Sequence, residues 1–159
     1  MEIDLKALAK FLVKAKTQTY AGDGKEIQAQ RPDFKELDFL EGDWYYRDSY
    51  AGFFYAPGQE IVRYKQQPAW SMAYSGGMLP KYHDDIDFAK QTFGFLKKAL
   101  LKMEESRPFR GPENFKEGDW EYKDSSEGDI TDFKGTEHIY YKGEEVFKQN
   151  YIGGLILSK

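Results

Sequence analysis

The chain has 159 residues, a formal net charge of −4 and no cysteine. This length supports one ordinary domain with its own core, and the lack of cysteine excludes disulfides, thiolate metal sites and cysteine nucleophiles. The 23 basic residues are scattered along the sequence, which argues against direct nucleic-acid binding. Because the sequence has neither a leader-like start nor a membrane-length apolar run, we expect one cytoplasmic domain over residues 1–159 without membrane association.

The first half of the chain predicts a helix followed by three strands. Leu8 and Leu12 lie on one face of residues 4–16, opposite several lysines, as in an amphipathic helix that lies on a sheet. Residues 19–25 carry two glycines and an aspartate, which predict an irregular loop. Alternating side chains then predict three strands, the last two joined by a turn at Gln66-Gln67. These strands cover about residues 43–49, 59–65 and 69–75.

The second half predicts the same order of elements. A helix over about residues 85–105 begins at a capping Asp84 or Asp85 and ends before Pro108. The last two of its three strands are joined by a turn at Gly143-Glu144. The strands cover about residues 119–125, 136–142 and 145–152.

The two halves also repeat in sequence. EGDWYYRDS begins at residue 41 and EGDWEYKDS at residue 117, an offset of 76, and seven of the nine positions are identical. The offset becomes 77 further along, where Glu60 aligns with Glu137. We interpret the match as a duplication, with repeat 1 at about 4–79 and repeat 2 at about 83–157. The predicted fold class is α+β, a duplicated αβββ unit with antiparallel strands and two helices packed on the aromatic faces of the sheet.

Alternation along the strands predicts which side chains face inward. In the second repeat, Glu121 and Lys123 must face water, so Tyr122 and Asp124 face inward. The same alternation in the first repeat turns aromatic and acidic side chains to one face. A buried carboxylate without a partner costs several kcal/mol. These acids therefore need an explanation.

Two interpretations of the acids remain open. In the structural one, Asp48 and Asp124 accept backbone hydrogen bonds, while Glu60 and Glu137 pair with tyrosines or arginines. In the functional one, aromatic walls and a carboxylate form a pocket for a cationic, amine-bearing or nucleobase-like ligand. We place that pocket at Glu60 rather than Glu137, because the first repeat holds the extra loop. The candidate ligand-binding residues are Trp44, Tyr46, Asp48, Glu60, Tyr64 and Trp70, and a candidate lid comprises Tyr20, Asp23 and Lys25.

The sequence gives little support for a metal site, a catalytic nucleophile or a phosphate-binding loop. The acids after His83 are explained by helix capping, so no metal site is expected. There is no Gly-x-Ser-x-Gly motif, and residues 22–25 lack the spacing of a phosphate loop. We therefore expect no cofactor and no catalytic residue, and the sequence does not favour an enzyme.

Four segments carry a resemblance to a known family: TYAGDGKE at 19–26, YYRDSY at 45–50, RGP at 110–112 and YIGGL at 151–155. Over nearly its full length the chain resembles a bacterial domain-of-unknown-function family, whose members stand alone or lie C-terminal to XRE-type helix-turn-helix regulators. The resemblance implies an effector-sensing role and supplies no catalytic residues. We therefore expect a non-enzymatic small-molecule binding domain of regulatory type. The alternative is a protein–protein interaction module in a regulatory or defence system, and a homodimer is compatible with either.

Overall fold

The computed structural model describes residues 2–157, so the outermost residues of the domain predicted over 1–159 lie outside the described part. The fold is mixed α+β and mostly sheet. The helices are α1 (Leu5–Gln18) and α2 (Ile86–Leu100), with a short 3-10 turn at Pro80–Tyr82 before α2. The strands are β1 (Lys35–Glu41), β2 (Trp44–Tyr50), β3 (Gly58–Tyr64), β4 (Gln67–Met78), β5 (Asn114–Glu117), β6 (Trp120–Asp129), β7 (Asp132–Tyr141) and β8 (Glu144–Leu155).

The eight strands form one antiparallel sheet in the order β1-β2-β3-β4-β8-β7-β6-β5. Each half of the chain contributes four consecutive strands. The two sets meet at β4 and β8, where Tyr74 pairs in register with Tyr151. The prediction of antiparallel strands is confirmed, and the two halves join through their last strands.

The predicted αβββ unit is wrong in its number of strands, because a fourth strand precedes the other three in each half. The strands β1 and β5 lie at the two edges of the sheet. Both are rich in exposed charged residues, as edge strands commonly are, so neither shows the alternation that reveals a half-buried strand. The repeated Glu-Gly-Asp-Trp motif is the turn between the edge strand and its neighbour. Gly42 and Gly118 occupy equivalent positions in these turns, with φ of 58° and 59°.

The predicted turns after β3 and β7 are placed one residue too late. The turn residues are Lys65-Gln66, with φ of 49° and 67°, and Lys142-Gly143, with φ of 50° and 81°. Positive φ at both central residues is the type I′ conformation, whose twist matches that of the flanking strands. The non-glycine residues adopt it because the hairpin geometry outweighs their local preference.

Both helices begin at an aspartate, as the sequence predicts for α2. The Asp85 carboxylate accepts a hydrogen bond from the Phe88 amide at 2.9 Å, and Asp4 caps α1 in the same way. The helix α2 ends five residues before the predicted end at 105, because the chain turns at Leu101 and the Lys102 amide donates to the Ala99 carbonyl. No helix within residues 2–157 is long and apolar enough to cross a membrane.

The core consists of two hydrophobic clusters. The first joins Leu8 and Leu12 of α1 with Val62 and Trp70 of the sheet. The second cluster joins α2, through Phe95, Leu96 and Ala99, with strand residues that include Tyr122 and Ile139. Full burial of a large apolar side chain contributes about 1.5–3 kcal/mol.

Candidate functional site

Four buried carboxylates occupy equivalent inward positions of the two sequence repeats. They are Asp48 on β2, Glu60 on β3, Asp124 on β6 and Glu137 on β7, and none is more than 5% exposed. Asp48 pairs in register with Glu60, and Asp124 pairs with Glu137. The alternation of the strands predicted this inward placement, and the partners of each acid decide its role.

Glu137 has a complete set of partners. Its Oε1 accepts hydrogen bonds from Arg110 Nε at 2.9 Å and Gln149 Nε2 at 2.9 Å, while Arg110 Nη2 lies 2.7 Å away. Its Oε2 accepts from the Tyr122 hydroxyl at 2.6 Å. Burial acts to lower the pKa of Arg110, but the Glu137 carboxylate outweighs it and raises that pKa well above the ordinary value. Glu137 and Arg110 therefore form a neutral, fully bonded buried pair.

Glu60 has a simpler environment. Its Oε2 lies 2.7 Å from Lys16 Nζ, and the contact is an ion pair without hydrogen-bond geometry. The same ammonium donates to the Phe109 carbonyl at 2.5 Å. Burial lowers the pKa of Lys16, and the attraction of Glu60 opposes that shift. The space beside Glu60 measures only about 10 Å³, about what one water molecule needs.

Asp48 has a different environment again, because it borders a large cavity. Its Oδ1 accepts a hydrogen bond from the Tyr74 hydroxyl at 2.7 Å. Among the side chains and backbone groups of residues 2–157, that hydroxyl is the one hydrogen-bond donor to this carboxylate. Burial raises the pKa of Asp48 to about 7, the Glu60 charge adds to the shift, and the Tyr74 bond, Arg110 and Lys16 oppose it.

The cavity at Asp48 has a volume of about 520 Å³, within the range of small-molecule sites. Its buried polar lining comes from both halves of the chain, through Asp48, Arg110 and Gln149. The Arg110 guanidinium also lies 5.6 Å over the Tyr74 ring. Aromatic and aliphatic side chains form the walls, among them Tyr20, Tyr50, Phe53, Phe93, Leu96 and Phe147.

Four lysines also line the cavity, and two of them are neutralised. Lys97 pairs with Asp23 at 2.5 Å, and Lys98 pairs with Glu117 at 2.5 Å. Lys35 and Lys90 are exposed at the opening. The charged groups of the site are therefore the buried carboxylate of Asp48, the buried guanidinium of Arg110, which is paired with Glu137, and an exposed cationic rim.

The predicted lid is a compact turn that follows α1. The Gly24 amide donates to the Thr19 carbonyl at 2.7 Å, and Tyr20 and Asp23 line the cavity. Lys97 of α2 lies 5.0 Å over the Tyr20 ring in addition to its pair with Asp23. Lys25 is not part of the lining. The turn forms one wall of the cavity.

Several predicted site residues lie away from the cavity. Trp44 and Tyr64 contact each other with ring centroids 4.4 Å apart. Trp70 is fully buried, stacks on Phe133 and donates to the Ile130 carbonyl at 3.1 Å. Glu60 and Tyr46 border only the small space. Of the six predicted ligand-binding residues, the structure places Asp48 alone on the large cavity.

Sequence reasoning missed the contribution of the second repeat. Gln149 of β8 lines the cavity with Asp48 because β8 pairs with β4 in the middle of the sheet, and Arg110, in the loop before β5, is bonded to Glu137 beside it. A side chain at Gly76 of β4 would fall 2.3 Å from the Gln149 Cα atom, so glycine permits this close approach. The sequence Tyr-x-Gly-Gly occurs in both repeats, at residues 74–77 and 151–154, but only the pairing of the two halves shows that Gly76 lies against Gln149.

The two histidines take part in local contacts. His83 Nε2 lies 2.9 Å from the Met78 carbonyl oxygen, and its ring stacks on Phe54. His138 is half-buried and pairs with Glu145. Within the described part of the chain, no group of three or more histidine, aspartate or glutamate side chains is arranged to hold a metal ion.

Comparison with known proteins identifies the family. A family model for a domain of unknown function, DUF5680, matches residues 48–156, from Asp48 on β2 to the end of β8. Comparisons with curated proteins and with solved structures yield no match. The match spans more than half of the chain and includes most of the polar lining of the cavity. The chain therefore belongs to the DUF5680 family of domains of unknown function.

Proposed function

We propose that this chain is a small-molecule binding domain whose ligand occupies the cavity at Asp48. The observation that carries the proposal is a buried carboxylate, 4% exposed, that receives one hydrogen bond within residues 2–157 and borders about 520 Å³ of open space. A carboxylate can accept about four hydrogen bonds. The free capacity of Asp48 faces a space large enough for a ligand.

The contrast with Glu137 supports this assignment. Both acids are buried on the same sheet, yet Glu137 is held by Arg110, Gln149 and Tyr122. Burial of a carboxylate with too few partners reduces stability. Selection for stability alone would therefore replace Asp48 or complete its bonding. A ligand that pairs with Asp48 gives the residue a function that offsets this loss.

Gly94 supplies a second line of support. It lies in the interior of α2 and lines the cavity, and an added Cβ would meet no atom within 4 Å. Glycine inside a helix costs about 1 kcal/mol relative to alanine. Packing does not require glycine here. Its effect is to leave the cavity opening free.

Binding is favoured over turnover because the polar groups near Asp48 are already engaged. Arg110 and Gln149 are bonded to Glu137, and the Tyr74 hydroxyl is bonded to Asp48 itself. Asp48 itself is free to exchange a proton, but general acid–base catalysis also needs a second group to receive or supply a proton, and the neighbours that line the cavity with Asp48 are engaged. These engaged groups suit recognition, which agrees with the effector-sensing role that the family resemblance implies.

We also propose that the two halves arose by duplication, with each helix packed on its own set of strands. Each half has one helix followed by four antiparallel strands. The Tyr74–Asp48 hydrogen bond recurs as Tyr151–Asp124 at the equivalent positions. The site at Asp48 is then a feature of one copy.

The proposal is tested with four probes that share one ring: benzamidine, benzylamine, benzyl alcohol and benzoate. We expect at least one probe to shift the NMR signals of Phe53 and Phe93. Both side chains line the cavity, and their ring centroids lie 5.5 Å apart. The matched variants are Gly94→Trp, which places a ring over the opening, and Gly94→Ala, which leaves it free. Binding should be lost in the first and kept in the second. Failure of all four probes to reach the cavity, or undiminished binding by Gly94→Trp, would overturn the proposal.

A further inference from the structure

The second half of the chain shows what kind of group pairs with Asp124, the aspartate equivalent to Asp48. Asp124 accepts hydrogen bonds from the Tyr151 hydroxyl at 2.9 and 3.0 Å, as Asp48 accepts from Tyr74. Asp124 has one further partner, since its Oδ2 lies 3.3 Å from Nη2 of Arg107. A guanidinium therefore completes the environment of the equivalent acid.

The first half lacks that guanidinium. Arg31 aligns with Arg107 at the offset of 76, in the repeated Arg-Pro pair. Its side chain is exposed, donates to Gln59 at 3.4 Å and lies 5.5 Å over the Phe34 ring. Asp48 thus has the tyrosine hydrogen bond that Asp124 has, but no arginine pairs with it. The cavity lies beside the Asp48 carboxylate instead.

The other cations near Asp48 are engaged elsewhere. Lys16 pairs with Glu60 at 2.7 Å, and Arg110 pairs with Glu137 at 2.7 Å. Each ion pair is buried, and breaking one would leave a buried charge without its partner. Neither cation is available to replace the missing arginine.

We propose that the ligand carries a planar cation, a guanidinium or amidinium, that pairs with Asp48 as Arg107 pairs with Asp124. This inference rests on the proposed function and names the chemical class of the ligand. A planar cation with two N–H donors matches a carboxylate with an uncommitted oxygen. The rest of the ligand packs against the aromatic side chains that form the walls of the cavity.

The rim limits the charge at the other end of the ligand. Lys35 and Lys90 are exposed at the opening, and a second cation there would be repelled. The ligand therefore has its positive charge at the buried end and a neutral or anionic group at the open end. This arrangement disfavours a second cation at the open end of the ligand.

The test compares benzamidine with its neutral analogue benzamide and with the anion benzoate, by calorimetric titration at pH 8. The protein is used as wild type, as Asp48→Asn and as the matched control Asp124→Asn. We expect wild type to bind benzamidine at least tenfold more tightly than benzamide. Asp48→Asn should lose this preference, and Asp124→Asn should keep it.

Two results would overturn the inference and leave the proposed function standing: benzamide or benzoate bound in the cavity at least as tightly as benzamidine, or a preference for benzamidine that survives in Asp48→Asn. If none of the ring compounds binds, the proposed function itself fails. If Asp48→Asn does not fold, NMR contacts between benzamidine and the wild-type protein test the inference instead. Amidinium protons beside Tyr74 support the inference, and amidinium protons beside Lys35 or Lys90 contradict it.

Discussion

The two buried acid pairs of the sheet differ in how completely they are neutralised. In the second half, Arg110 pairs with Glu137 at 2.7 Å and Arg107 with Asp124 at 3.3 Å. In the first half, Lys16 alone pairs with Glu60, and Asp48 has no cation of its own within residues 2–157. Equivalent residues thus serve packing in one half and leave an open carboxylate in the other. The difference lies in the arginines rather than in the acids.

The largest effect should come from removal of the guanidinium that holds Glu137. Arg110→Met leaves a buried carboxylate without its cation, and we expect a loss of about 3–5 kcal/mol in the free energy of unfolding. Urea unfolding at pH 7 measures it. Arg31→Met is the control, because an exposed arginine should change stability by less than about 0.5 kcal/mol. Equal losses in the two variants would contradict the distinction between the halves.

The next comparison concerns the two glutamates. Glu137→Gln removes the charge that pairs with Arg110 and turns an NH2 group either toward the donors of Arg110 and Gln149 or toward the Tyr122 hydroxyl, so we expect it to cost about 3 kcal/mol. Glu60→Gln removes the counter-ion of Lys16, but burial already lowers the pKa of this lysine and it can lose its proton where an arginine cannot, so the change should cost less, about 1 kcal/mol. Chemical denaturation of both variants at pH 7 gives the two values. A greater loss at Glu60 would reverse our assignment of the complete environment to the second half.

Asp48 should make stability depend on pH. Its pKa is about 7 in the folded protein, against an ordinary value of 3.8, so the folded state binds the proton more tightly and stability falls as pH rises from about 4 to about 7. The charges that face it are Lys16, Glu60 and Arg110. At pH 8, Asp48→Asn should be more stable than wild type by about 2 kcal/mol, and the gain should vanish near pH 4.

Unfolding curves at pH 4, 6 and 8 measure this difference. Asp124 also has a pKa of about 7, raised by burial and by Glu137, so Asp124→Asn should show the same sign. A gain in stability at pH 8 that equals the gain at pH 4 would show that the folded Asp48 does not titrate in this range.

The smallest effect should come from the wall formed by residues 19–25. Lys97→Ala removes the pair with Asp23 and the contact with the Tyr20 ring, and should cost less than about 1 kcal/mol of global stability. The turn itself should loosen. Amide hydrogen exchange should increase at residues 19–25 and stay unchanged in β6. Exchange that rises equally in both regions would argue against a local wall.

Much of the fold could be predicted because strand alternation is a local signal. Asp48, Glu60 and Tyr46 lie inward as the alternation requires, and the repeated sequence located both sets of strands. The edge strands β1 and β5 were missed because their charged, exposed residues resemble a loop. Their pairing with β2 and β6 comes from the turn at the repeated glycine.

The site could be predicted only in part, because its lining depends on contacts between distant segments. Alternation assigns a side chain to a face, but it does not show which neighbours complete that face. Gln149 reaches the cavity through the pairing of β4 with β8, and Arg110 reaches it through its contact with Glu137 of β7. Trp70 faces inward as the alternation predicts, but it does not reach the cavity, because Phe133 from the other half of the chain stacks on it.

The most direct test is a carbon-13 NMR titration of the Asp48 and Asp124 carboxyl groups, with and without saturating benzamidine. Our account predicts that both groups titrate near pH 7 in the free protein. Benzamidine should then lower the pKa of Asp48 by at least one unit, because a nearby cation favours the ionised form, and should leave the pKa of Asp124 in place. An unchanged pKa of Asp48 in the complex, or an equal shift of both groups, would contradict the account.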